Sequence, residues 1–166
     1  MTVNPSFHLR RAQAEDAPAI AEIWNAGWHD GHDGRVPEAL VSARDPESFR
    51  TRAAQRVGDA TVAVTSREVA GFVMVAADEV EQMYVAGHHR GSGVAGLLLD
   101  EAERQIRDAG HTQAWLAVVP GNARARRFYE RHGWCDDGPF DYAAAGEHGP
   151  IPVPCRRYAK HLPPKR

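Results

Sequence analysis

Seven residues, Arg90-Gly91-Ser92-Gly93-Val94-Ala95-Gly96, stand between an apolar run that ends at Val85 and a helical stripe of Val94, Leu97, Leu98, Ala102, Ile106 and Ala109. A chain with this junction must pass from strand to helix through glycine backbone. The first-turn amides and the positive dipole end of the helix then make a seat for an anion such as phosphate, and the missing side chains let the ligand approach closely. The rest of the fold has to be built around one strand-turn-helix unit that can face a ligand.

The flanking segments supply further elements. Phe7 to Ala12 reads as a short strand, and Asp16 with Pro18 reads as the cap and first turn of a helix whose Ile20, Ile23, Trp24 and Trp28 share a face. Asp30 to Gly34 is expected to end that helix. Asp45-Pro46 opens a second helix carrying Phe49, Ala53 and Val57, with Gly58 as its stop, so the opening third reads strand, helix, helix. Thr61 to Thr65, Val69 to Ala77 and Val80 to Val85 follow as short-linked strands of an antiparallel meander. Gly110 closes the central helix, Gln113 to Val119 is a strand, and Asn122 caps a helix to His132 that Gly133 ends before a strand at Trp134-Cys135. Asp136 to Pro154, rich in Gly, Pro, Ala and acids, is expected to be a long, movable loop before a last strand from Cys155 to His161.

Charge and composition remove several function classes. Twenty Lys and Arg against 22 Asp and Glu give a net charge of -2, which argues against a broad surface for polyanions, so no nucleic-acid partner is expected. Apolar runs are too short to span a bilayer, and no basic-then-apolar leader follows Met1, so a cytoplasmic protein without a membrane partner is expected. Cys135 and Cys155 form no CxxC pair and are expected to be reduced thiols. Among nine histidines, His29-Asp30-Gly31-His32 lacks the one-face helical spacing of a zinc motif, so no metal is expected. His88 and His89 read as loop residues near a phosphate.

Gly91, Gly93 and Gly96 also satisfy GxGxxG, which opens a dinucleotide-binding oxidoreductase as an alternative. That fingerprint needs a strand leading straight into the first glycine and an acid about 20 residues on for the ribose. Here Ala86 to Arg90 intervene, and the next strand ends Val118-Val119-Pro120 with no carboxylate. A glycine turn that merely packs helix on strand is the other alternative.

Arg90-x-x-Gly93-x-Ala95 resembles the Q/R-x-x-G-x-G/A pyrophosphate loop of the GNAT superfamily of acyl-CoA-dependent N-acyltransferases, and Glu81 to Val85 is similar to the strand that precedes it there. Asn122 to Trp134 resembles the family's downstream N-x-x-A-x-x-F-Y-x-x-x-G-F/W segment, in register with the first motif. Together the two motifs cover Val80 to Trp134, about a third of the chain. The resemblance implies a single mixed α/β domain over 1–166, with a twisted, mainly antiparallel sheet whose fourth and fifth strands are parallel and splay. It implies acetyl-CoA as cosubstrate and acetyl transfer to a primary amine of a small molecule by direct attack in a ternary complex. No cysteine lies in either motif, which argues against a covalent acyl-enzyme.

Carried over residue by residue, the resemblance places the pyrophosphate on the amides of Gly91, Ser92, Gly93, Val94, Ala95 and Gly96, with Arg90 adding charge. The pantetheine arm runs along Met83, Tyr84 and Val85, and Asn122 combines a helix cap with a hydrogen bond toward that arm. Tyr129 protonates the leaving thiolate. Glu81 is the first choice for the base and Glu79 the second, because a β-bulge would change which side chains face the cleft. Trp28, His29 and His32 are expected to contact the acceptor. The acidic bias of Asp30, Asp33, Glu38, Asp136, Asp137, Asp141 and Glu147 points to a cationic amine. Val80 to Val85 further resembles enzymes acting on phosphinothricin-type acceptors. A protein or peptide acetyltransferase and an acyl-CoA-binding module without turnover remain as alternatives, and a homodimer is kept open.

Overall fold

The computed structural model describes residues 6–164; the start of the chain, where a leader would begin, lies outside the described residues. Strand β1 (His8–Arg11) leads through a 3-10 turn into helix α1 (Ala17–His32), followed by α2 (Glu38–Ala43) and α3 (Pro46–Arg56). The meander is β2 (Ala60–Val64), β3 (Val69–Ala76) and β4 (Glu79–Val85), and α4 (Val94–Asp108), β5 (Gln113–Val118) and α5 (Ala123–Arg131) follow. A hairpin of β6 (Cys135–Ala144) and β7 (Ile151–His161) completes a seven-stranded sheet in the order β1-β2-β3-β4-β5-β7-β6.

All neighbours are antiparallel except β4 and β5, which run parallel and meet at one pair, Glu79 with Trp115. Asp78 fixes that meeting point by accepting from both the backbone N–H and the indole N–H of Trp115, each at 3.0 Å. Beyond it the two strands part. One sheet face buries Phe72, Met74 and Val62 under Ile20, Trp24, Trp28, Phe49 and Ala53 of α1 and α3; the other buries Val73, Val80, Leu116 and Tyr158 under Leu98, Leu99, Ala102 and Ile106 of α4.

Four sequence expectations need correction. Asp30, Gly31 and His32 continue α1 rather than ending it. Glycine in a helix costs about 1 kcal/mol relative to alanine, but Gly27 and Gly31 face close neighbours that leave no room for a side chain: a Cβ on Gly27 would stand 2.5 Å from Tyr84 Cδ1, and one on Gly31 3.0 Å from Asn122 Nδ2. Asp16 precedes α1 but does not cap it, because its buried carboxylate accepts from Gln13 N–H at 2.7 Å and from Arg10 at 2.7 and 3.0 Å. An additional short helix, α2, stands before Asp45, whose carboxylate caps α3 through Ser48 N–H at 2.7 Å. Finally, the supposed loop from Asp136 to Pro154 is mostly strand. Phe140, Tyr142 and Ala144 alternate inward against the α1 and α3 side, and a register shift between Asp136 and Pro139 absorbs Gly138. Pro152 and Pro154 are tolerated because β7 pairs with β5 only from Arg156 onward, so no ladder bond is lost on that side.

Candidate active site

The divergence of β4 and β5 opens the sheet, and a cavity lies on each side of the opening. One, of about 540 Å³, is bounded by Met83, Tyr84 and Val85 of β4, the turn into α4, and Asn122, Phe128 and Tyr129 of α5. The other, of about 950 Å³, is bounded by α2, α3, the start of β4 and the β6–β7 hairpin. Seven residues line both: His32, Val80, Glu81, Gln82, Tyr84, Ala117 and Val119. They mark a passage through the sheet, where reactants held in the two cavities could meet.

The turn before α4 has the geometry of an anion seat. Gly91 and Gly93 sit at φ 79° and 88°, a left-handed region that L side chains rarely adopt. The N–H groups of residues 91–96 donate to no protein acceptor among the described residues, and the first bond into the helix runs from Leu97 N–H to Gly93 O at 3.3 Å. Arg90 points its guanidinium across the mouth of this cavity to Asp30 at 3.0 Å, and Arg124 reaches the same carboxylate oxygen at 2.9 Å. Ser92 departs from the rest of the loop: it does not line the cavity, and its hydroxyl donates to His89 O.

On the opposite wall Asn122 caps α5 by accepting from Ala125 N–H at 3.2 Å, while its amide nitrogen faces Gly31 of α1. Tyr129 packs among Phe128, Trp134 and Tyr158, and burial pushes its hydroxyl up to about 12, so it carries a proton at neutral pH. Tyr84 crosses the passage, and burial likewise holds its phenol well above the ordinary value.

A bulge in β4 decides which acids face this passage. Met74 pairs with Gln82 but Val75 pairs with Val80, so Glu81 is the extra residue. Val80 and Met83 pack toward α4 and Tyr84 packs toward α1, and the two residues between Val80 and Met83 consequently turn to the α1 and α3 face. Glu81 accepts from Arg56 of α3 at 2.6 Å. Glu79, in the larger cavity only, accepts from the Tyr142 hydroxyl at 3.1 Å, and burial raises its carboxyl more than that bond lowers it.

The three residues expected to meet the acceptor separate. Trp28 lines the larger cavity with its ring stacked on His32, centroids 4.3 Å apart and planes 2° apart; His32 lines both cavities, and burial lowers its basicity. His29 lines neither. Its ring bonds Asp33 and the carbonyl of Arg44, at 2.7 and 2.6 Å, and so positions the α2–α3 connection. The acidic bias is also mostly spent elsewhere: Asp33 is taken by His29, Asp30 by Arg90 and Arg124, Asp136 by Arg126 and Arg156, and Asp137 by Arg157, and of those seven acids only Glu147 lines the larger cavity. His88 and His89 turn both Nε2 atoms to Glu68 Oε1, at 2.6 and 2.7 Å. Residue reasoning missed the polar stripe of α3, Ser48, Thr51, Arg52, Gln55 and Arg56, which lines the larger cavity. Its helical spacing beside Phe49 and Ala53 was a signal, but a charged stripe reads as a solvated face until something is seen to stand over it.

A family described as the acetyltransferase (GNAT) family matches residues 18–134, more than half of the chain. The streptothricin acetyltransferase of Streptomyces lavendulae is 30% identical over 161 residues, covering 90% of this chain and 77% of that protein. Among solved structures, a GCN5-related N-acetyltransferase from Rhodopseudomonas palustris superposes with a TM-score of 0.70 at 19% identity, covering 98% of both chains. The PaiA N-acetyltransferase from Thermoplasma acidophilum, in complex with coenzyme A, gives 0.68 at 17% identity over 95% of this chain and 99% of that one. At these identities the two structures share the fold.

Proposed function

The chain belongs to the GNAT acetyltransferase family, and from that premise we propose that it moves the acetyl group of acetyl-CoA to the primary amine of a small molecule by direct attack in a ternary complex. The observation that carries this reading is the passage between β4 and β5, which joins a cleft with free loop amides to a separate, larger cavity. A cofactor and an acceptor can enter from opposite faces and meet beside Glu81 and Tyr84.

In this reading the amides of residues 91–96 hold the pyrophosphate, and Arg90 exchanges Asp30 for a phosphate oxygen. The edges of β4 and β5 left unpaired past Glu79 give the pantetheine arm backbone partners along Met83, Tyr84 and Val85. A backbone N–H of this stretch polarises the thioester carbonyl. Freeing the lone pair of an alkyl ammonium at pH 7 costs about 4 kcal/mol, and Glu81, the carboxylate that faces both cavities, takes that proton. The amine then attacks the carbonyl carbon, the C–S bond breaks, Tyr129 protonates the departing thiolate, and the extra proton left on the new amide nitrogen passes to the Tyr129 phenolate and restores it. Cys155 also lines the larger cavity, but burial pushes its thiol up to about 11, which leaves it a poor nucleophile at neutral pH and favours direct attack over an acyl-enzyme.

A library of small amines and lysine peptides, assayed by CoA release with acetyl-CoA, tests the reading. Turnover of small amines is expected, with the Glu81→Gln variant most impaired at neutral pH and recovering as pH approaches the acceptor's own pKa. Selective turnover of peptides alone would overturn the small-molecule assignment. A pH-independent defect would remove Glu81 from the proton path.

A further inference from the structure

The larger cavity contains two guanidinium groups that form no ion pair among the described residues, although Glu81 attracts Arg52 at longer range. Arg44, between α2 and α3, is only 6% exposed. It donates from Nη2 to Ala145 O in the β6–β7 hairpin at 2.6 Å, and its Nε is buried without a partner. Arg52, on α3, lies over the Trp24 ring at 4.6 Å and forms no ion pair among the described residues. The two repel each other, and burial together with that repulsion lowers Arg44 to about 10. Four of the neighbouring acids are committed, Glu81 to Arg56, Glu79 to Tyr142, Glu47 to Arg50, and Asp45 to the cap of α3, and the fifth, Glu147, is exposed on the β6–β7 hairpin and forms no ion pair with either arginine.

Unpaired buried charge is costly, and two like charges side by side more so. A protein that keeps such a pair in a ligand cavity has a place for an anion. Resting on the reading that this cavity admits the acceptor, we propose that the acceptor is a zwitterionic amine, an amino acid or a close analogue with a carboxylate or phosphinate, whose anionic group is held by Arg44 and Arg52 while its amine faces Glu81. The planar forks suit an oxyanion with two oxygens, and stacking on Trp24 holds that of Arg52 in place. His29 steadies Arg44 from behind through its backbone carbonyl. An amine without an anion would add a further positive charge to a cavity that already holds Arg44, Arg52 and Arg56 and would leave the first two uncompensated, so repulsion as well as attraction sets the preference.

The test compares L-amino acids, their carboxamides and the corresponding decarboxylated amines as acceptors, by CoA release at one pH. The expected result is a kcat/KM about 100-fold higher for the acid than for its carboxamide. Arg52→Gln should bring that ratio toward one while acetyl-CoA still stabilises the variant, and Arg52→Lys should retain part of it. A second measurement uses the same carboxylates with hydrogen in place of the amine, bound to the acetyl-CoA complex and read by calorimetry. Wild type should bind them and Arg52→Gln should not. Equal use of acids and carboxamides, or an unchanged ratio in Arg52→Gln, would overturn the anion subsite while leaving acetyl transfer intact. Binding of the carboxylates without turnover of any amine would leave the subsite standing and overturn the acetyl-transfer reading instead.

Discussion

Tyr129 and Glu79 show how burial sets the chemistry of single side chains. The Tyr129 ring lies 5.2 Å from that of Phe128 and 6.2 Å from those of Trp134 and Tyr158, and its raised pKa keeps the phenol protonated at neutral pH, as the proposed acid role needs. Tyr129→Phe keeps the ring and removes only the donor. It should lower kcat by about 100-fold, at the low end for loss of a general acid, with acetyl-CoA affinity within about twofold, because the loss is confined to the transition state. A matching fall in thermal stability and activity would instead make Tyr129 a packing residue. Glu79 is raised above the usual carboxylate range in the folded chain, chiefly by burial. Its charged form is disfavoured in the fold, so the penalty is absent below the unfolded pKa and complete above the folded one. Glu79→Gln should therefore be nearly neutral at about pH 4 and stabilising at about pH 8, which denaturant unfolding at the two pH values would measure.

Among the elements, α1 sets the width of the passage. Gly27 and Gly31 let it lie close against Tyr84 and Asn122, at the cost of two glycines in a helix. Gly27→Ala would gain up to about 1 kcal/mol in helix propensity, but it drives a methyl to 2.5 Å from the half-buried Tyr84 ring. Overpacking of this kind costs about 1–3 kcal/mol. A net fall in Tm is expected, about 2–4 °C for each kcal/mol lost in a chain of this size. Gly58→Ala is the control, since nothing lies within 4 Å of where its methyl would stand and its φ is not positive; scanning calorimetry should leave it near wild type.

At the scale of the whole molecule, the split sheet leaves facing strand edges that a bound ligand could pair with. Beyond Glu79 and Trp115 the facing edges of β4 and β5 lack each other, and acetyl-CoA would supply what is missing. It should stabilise the protein by mass action, by about 2.7 kcal/mol at a hundred times its Kd, read as a Tm that climbs with ligand concentration. NAD and NADP should produce no such climb. A flat Tm at millimolar acetyl-CoA would count against the cofactor assignment as a whole.

Much of this was legible in the sequence because its signals are local. The Arg90–Gly96 turn, the Asn122 cap and the α4 stripe each depend on neighbours within a few residues, so motif and periodicity together picked out the walls of the smaller cavity. Two further features depended on partners distant in sequence. The bulge at Glu81 exists only in the pairing of β4 with β3, and it places Glu81 toward the α1 and α3 face. The hairpin from Cys135 to His161 exists because β6 pairs with β7 along its length and the end of β7 pairs with β5, which overrode a composition typical of loops. The acids at Asp30, Asp33, Asp136 and Asp137 looked like an attractive field until folding matched each with an arginine or histidine. The same folding left Arg44 and Arg52 without an ion pair inside the larger cavity. Sequence can count charges and set helix phase, but which charge meets which is a long-range pairing, and only the tertiary structure decides it.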